Sequence, residues 1–122
     1  SMYLMKDQED YQMVMKLSTI IGAQQVDVLI APEYKFQEYV EQDGFYPMSE
    51  LLTDEQQEAY KDDLTEYGLH VGDSKVLQSF GVDEDSYMGV LVYSDHLDEA
   101  KSFITYIMGD GNTPDENEGG QK

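Results

Sequence analysis

The chain has no cysteine and no tryptophan, and it sets only 7 lysine or arginine residues against 26 aspartates and glutamates. Without cysteine there is no disulfide framework, no thiol nucleophile and no cysteine-bound zinc. The formal charge of -19 repels phosphate backbones and excludes nucleic acid as a partner, and it disfavours anionic membrane surfaces. No apolar run approaches the roughly 18 residues of a membrane-crossing helix, and no signal peptide is visible. Phosphate cradles of the GxGxxG or GxxxxGK type are missing. The stretch Asp110-Gly-Asn112-Thr-Pro114 begins like a calcium loop, but Pro114, Asp115 and Gln121 stand where a ligand, a glycine and a glutamate are needed. No cofactor and no metal site is therefore expected from motifs, although the charge alone suits cationic partners and metal ions.

What is present suits one domain. A chain of 122 residues of which 40% are hydrophobic can bury a single core. Tyrosine (10) and methionine (7) supply much of that content, and tyrosine serves a core boundary and a contact surface equally well. Ser1-Met2 reads as an addition left by cloning. Residues 3–108 read as one α/β domain, and residues 109–122, polar, acidic and rich in glycine, as a disordered tail.

The periodicities predict alternating helices and strands. Tyr3-Leu4-Met5 suggests the end of a strand. Tyr11, Val14, Leu17, Ile20 and Ile21 predict a helix over 8–22, stopped by Gly22. Val26 to Ala31 is short, apolar and β-branched, as buried strands are, and Pro32-Glu33 opens a helix running to about residue 41. Thr53 and Gln56 have the spacing of a capping box ahead of a helix over 54–66, with Ala59, Tyr60 and Leu64 facing inward. A short strand at 69–71, a helical turn at 75–79, a strand at 87–93 and a helix at 95–108 capped by Ser94 or Asp95 complete the pattern. The expected fold is an α/β three-layer sandwich around a small mixed sheet.

Few residue groups suggest chemistry. His70 precedes Asp73 and Ser74, but neighbours on a strand face opposite ways, so adjacency does not make a triad. His96 is expected at the surface. The carboxylate pairs Asp62 with Asp63, Asp83 with Asp85 and Asp95 with Asp98 fall in hydrophilic segments, where an acidic chain produces them by chance. No catalytic residue is assigned, and the chain is read as a non-enzyme. The joint at Ala31-Pro32-Glu33 is the best contact site, because ligands of open α/β sheets gather where a strand ends and a helix begins. Glu33 there suits hydroxyls or cations.

The segment from Val26 through Ala31-Pro32-Glu33-Tyr34 to Leu51-Leu52 resembles part of the extracellular solute-binding proteins with the type II periplasmic-binding-protein fold. Tyr87-Met-Gly-Val-Leu-Val-Tyr followed by the helix through Ala100, Phe103, Ile104 and Ile107 is similar to a strand and helix of that family. The resemblance implies one lobe of such a protein, extracellular and held to the membrane of a Gram-positive bacterium by an anchor upstream of this sequence. It implies non-covalent recognition of a small solute, with contacts from Pro32, Glu33, Tyr34, Asp73 and Ser74. Family members hold solute between two lobes, and 122 residues provide one. The alternative is a cell-surface scaffold whose sheet edge and tyrosines meet a protein partner or a second copy.

Overall fold

The structure, a computed structural model, describes residues 2–4 and 26–109. The helix expected over 8–22 and the acidic tail with its calcium-like stretch lie outside the described residues. Among the described residues four strands form one sheet: β1 (Met2–Leu4), β2 (Val28–Pro32), β3 (Leu69–His70) and β4 (Ser86–Val90), in the order β1-β2-β4-β3. β1 pairs parallel to β2, while β4 runs antiparallel to both β2 and β3. The sheet is thus mixed and the fold α/β. β2 and β3 point the same way, so their carboxyl ends meet the start of β4 at one end of the sheet.

The helices are α1 (Glu33–Glu41), α2 (Asp54–Ala59), the single turn α3 (Lys75–Gln78) and α4 (Leu97–Met108). Strand alternation divides the core between the two sheet faces. Val28, Ile30, Met88 and Val90 pack with Phe103, Ile104 and Ile107 of α4 and with Met48, Leu51 and Leu77. Leu29 and Ala31 pack on the opposite side with Phe36 of α1, Phe45 and Leu91. α4 keeps its apolar stripe buried at Ala100, Phe103, Ile104 and Ile107. The capping box forms as its spacing predicts: the Gln56 amide donates to the Thr53 hydroxyl, and the Thr53 amide donates to the Gln56 side chain, each at 3.0 Å.

Most elements are shorter than their sequence patterns, β2, β3 and α3 by a single residue, and for α2, β4 and α4 the structure shows what ends them. α2 stops at Ala59, which is exposed. Beyond it, Asp62 and Asp63 would place negative charge at a helix carboxyl end, where the dipole opposes it. The chain instead turns to the sheet: Leu64 bridges Leu69, and the His70 amide donates to the Asp63 carbonyl at 2.8 Å. Residues 63–65 thereby cover the outer edge of β3, a common protection of edge strands. β4 ends at Val90, because Leu91 bridges Phe45 and Ser94 turns the chain by donating its amide to Leu91. α4 begins at Leu97 with His96 as its cap residue. The Ser94 hydroxyl accepts the His96 amide at 3.1 Å, so neither Ser94 nor Asp95 occupies the cap position.

Candidate functional site

The five residues singled out from the sequence fall in two places at one end of the sheet, the joint of β2 with α1 and the turn before α3. Pro32 closes β2 opposite Ser86, and the Val71 amide donates to the Ser86 carbonyl at 2.8 Å. Ser86 therefore sits between the joint at Pro32 and the turn that carries Asp73 and Ser74. Its own hydroxyl is buried without a hydrogen-bond partner among the described residues. Pro32 is buried, whereas Glu33 and Tyr34 at the start of α1 are exposed, Tyr34 by 59%. Asp73 projects into solvent. Ser74 is buried and ties α3 to α4: its hydroxyl donates to the Ile107 carbonyl at 2.7 Å and accepts the Leu77 amide at 3.3 Å.

Between these two places lie Tyr87 and His70, neither of which the sequence marked for binding. Ala31, Tyr87 and His70 stand in register across β2, β4 and β3, so they share a face. The rings of His70 and Tyr87 meet edge to face at 5.3 Å, and Tyr87 leans on Phe36 at 5.8 Å. Both histidine nitrogens are occupied. Nε2 lies 2.6 Å from the Glu84 carbonyl, which can only accept, so Nε2 carries the hydrogen. Nδ1 lies 3.2 Å from Asp63 Oδ1 and 3.8 Å from Asp73 Oδ2. Asp63 is thus half-buried against a histidine rather than lying loose in a hydrophilic segment as expected.

The charges converge on the same point. Burial raises the Tyr87 phenol above its ordinary 10.0, and the carboxylates of Glu33 and Asp63 push it further in the same direction. Glu33 at the start of α1 and Asp63 on the segment that covers the edge of β3 therefore act electrostatically on one tyrosine. For His70, partial burial lowers the pKa, but the Glu84 carbonyl, the Asp63 hydrogen bond and the charges of Asp73 and Asp63 together outweigh it and hold the ring above the ordinary 6.5. A raised folded pKa gives stability that is complete below the unfolded value and is lost as pH rises through the folded one. In buffer free of divalent ions, urea unfolding should therefore show a lower midpoint at about pH 8 than at about pH 6. His70→Gln should flatten that part of the profile. A wild-type profile no steeper than the variant's would contradict the assignment.

Asp63, His70, Asp73, Ser74, Lys75, Ile107 and Met108 line a cavity of about 140 Å³ beside the outer edge of β3. A larger, open groove of about 340 Å³ runs between α2 and α4, lined by Leu52, Thr53, Gln56, Lys101 and Thr105 among others. The groove joins none of the residues at the sheet end. No protein-family model, curated protein or solved structure gave a match to this chain.

Proposed function

We propose that the chain is a non-catalytic binding domain that works like one lobe of a solute-binding protein, a three-layer α/β sandwich displayed outside the cell from an upstream anchor. The observation that carries this reading is the common sheet end. Pro32–Tyr34 and Asp73–Ser74, distant in sequence, flank Ser86 and Tyr87 at the carboxyl ends of β2 and β3, the place where open α/β sheets take ligands. Glu33, Tyr34 and Asp73 offer exposed carboxylates and a ring, a set suited to cationic or hydroxyl-rich small molecules. Pro32 shapes the joint of β2 with α1, and Ser74 the turn before α3. A general-base role for His70 is disfavoured, because a carbonyl and a carboxylate already face its two nitrogens.

Thermal unfolding against sugars, amino acids, amines and peptides, with chelator present, tests the reading. A ligand at 100 times its Kd adds about 2.7 kcal/mol, a shift of several degrees for a domain of this size. Glu33→Gln or Tyr34→Ala should shrink that shift. No shift with any class would reject solute binding in favour of an assembly domain. That second reading draws on Val92 and Tyr93, exposed by 50% and 60% after β4, and it predicts a concentration-dependent dimer in sedimentation or a protein partner.

A further inference from the structure

We propose that Asp63, His70 and Asp73 bind a first-row divalent transition-metal ion, zinc in the first instance. The imidazole is oriented from outside the group. Glu84 holds Nε2–H at 2.6 Å, so the nitrogen aimed at Asp63 and Asp73 is Nδ1. A histidine ligand held through its second nitrogen by a backbone carbonyl is the usual support for a bound metal. Nδ1, Asp63 Oδ1 and Asp73 Oδ2 all lie within 4.8 Å of one another. An ion about 2.0–2.2 Å from nitrogen and oxygen donors would set those atoms roughly 3–4 Å apart. The Nδ1 distances of 3.2 and 3.8 Å already fall in that range.

Backbone hydrogen bonds bring the three residues together. The His70 amide bonds the Asp63 carbonyl at 2.8 Å, and the Ser74 amide bonds Val71 at 3.0 Å, closing the turn that carries Asp73. The donors line the cavity of about 140 Å³, which leaves space for water or another ligand at the remaining coordination positions, each water taking about 30 Å³. Lys75 lines it too, and its single charge is outnumbered by the two carboxylates. One imidazole with two carboxylates favours zinc, cobalt, nickel or manganese over calcium, which seeks six to eight oxygens, and over magnesium, which keeps its waters.

Isothermal titration of zinc into chelator-stripped protein near pH 7.5 tests the proposal. One site per chain is expected, weakened at least about tenfold by Asp73→Asn or His70→Gln. Asp73 is 81% exposed, so its variant should keep the fold even if the His70 variant does not. Asp27, Asp95 and His96 form the other such group among the described residues, and His96→Gln should leave the affinity unchanged. On zinc binding, nitrogen NMR should shift His70 Nδ1 and leave Nε2 protonated. The proposal is overturned by an absence of binding, by affinity that Asp73→Asn does not alter, by loss confined to His96→Gln, or by several weak equivalent sites. Asp73 is common to this site and the proposed solute site, and running the solute screen in chelator keeps the failure of one distinguishable from the failure of the other.

Discussion

Replacing Gly72 with alanine should cost about 3–5 kcal/mol, combining overpacking with broken hydrogen bonds, and so remove much of the stability of a domain of this size. A β-carbon there would fall 1.8 Å from the Glu84 carbonyl oxygen and 2.4 Å from its carbon. The obstacle is backbone, so no side chain can swing aside. Neither segment of the contact is free to retreat. Val71 is bonded to Ser86 at 2.8 Å, the Gln78 side chain to the Gly72 carbonyl at 3.0 Å, and the Ser86 amide to Asp83 at 3.1 Å. The same movement would pull the Glu84 carbonyl from His70 and loosen the Asp63–His70–Asp73 group. Gly44→Ala is the matched control, since the nearest atom to its β-carbon is the Tyr39 carbonyl oxygen at 3.2 Å. Urea unfolding of both variants measures the difference. A Gly72 variant within about 1 kcal/mol of the wild type would show that the two turns are far less tightly held than this packing requires.

Phe36→Ala should be nearly as damaging, by about 3–5 kcal/mol for the lost ring and the cavity it leaves. Phe36 is 1% exposed and stacks on Phe45 with centroids 4.6 Å apart and planes 12° from parallel. A β-carbon on Gly68 would lie 2.4 Å from the Phe36 ring, and one on Gly89 would lie 2.6 Å from the Phe45 ring. The two rings thus occupy space that only these glycines leave open. Tyr87 leans on the same ring, so the variant should also disturb the sheet end that carries the candidate site. Tyr34→Ala, two residues earlier on the exposed side of α1, should change stability by less than about 0.5 kcal/mol. Equal losses for the two variants in chemical denaturation would refute this account of the core.

The elements legible in the sequence were those whose signals are local. Val26 to Ala31 announced a strand by its β-branched run, which forms as Val28–Pro32, Pro32-Glu33 announced the start of α1, and Thr53 with Gln56 announced α2 through side chains three residues apart. The stripe Ala100, Phe103, Ile104 and Ile107 marked the buried side of α4. The end of α2 was not legible. Its helical pattern continues to Leu64, and only pairing with Leu69 draws that segment to the sheet edge. The strand-to-helix joint at Pro32-Glu33 and the turn at Gly72-Asp73 were legible as such, but what lies between them was hidden. Tyr87 looked like a strand residue, and Asp63 looked like one of many solvated acids. His70 receives Asp63, Asp73 and the Glu84 carbonyl from three separate segments. That meeting depends on the register of β3 with β4, which no spacing along the chain encodes.

The strand order also governs how the chain reaches this state. The central pair of the sheet joins Val28–Pro32 to Ser86–Val90, so its formation must close a loop over nearly all the chain between them. Loop closure is entropically costly before any contact repays it, and folding rates fall as contacts become more distant in sequence. α4 and the capped α2 can flicker into existence early, but the sheet must wait for β4. During synthesis from the amino end, β2 emerges long before its antiparallel partner, leaving an apolar strand edge open until Ser86–Val90 follows. A fragment that stops short of Ser86 therefore has no native route to a closed core.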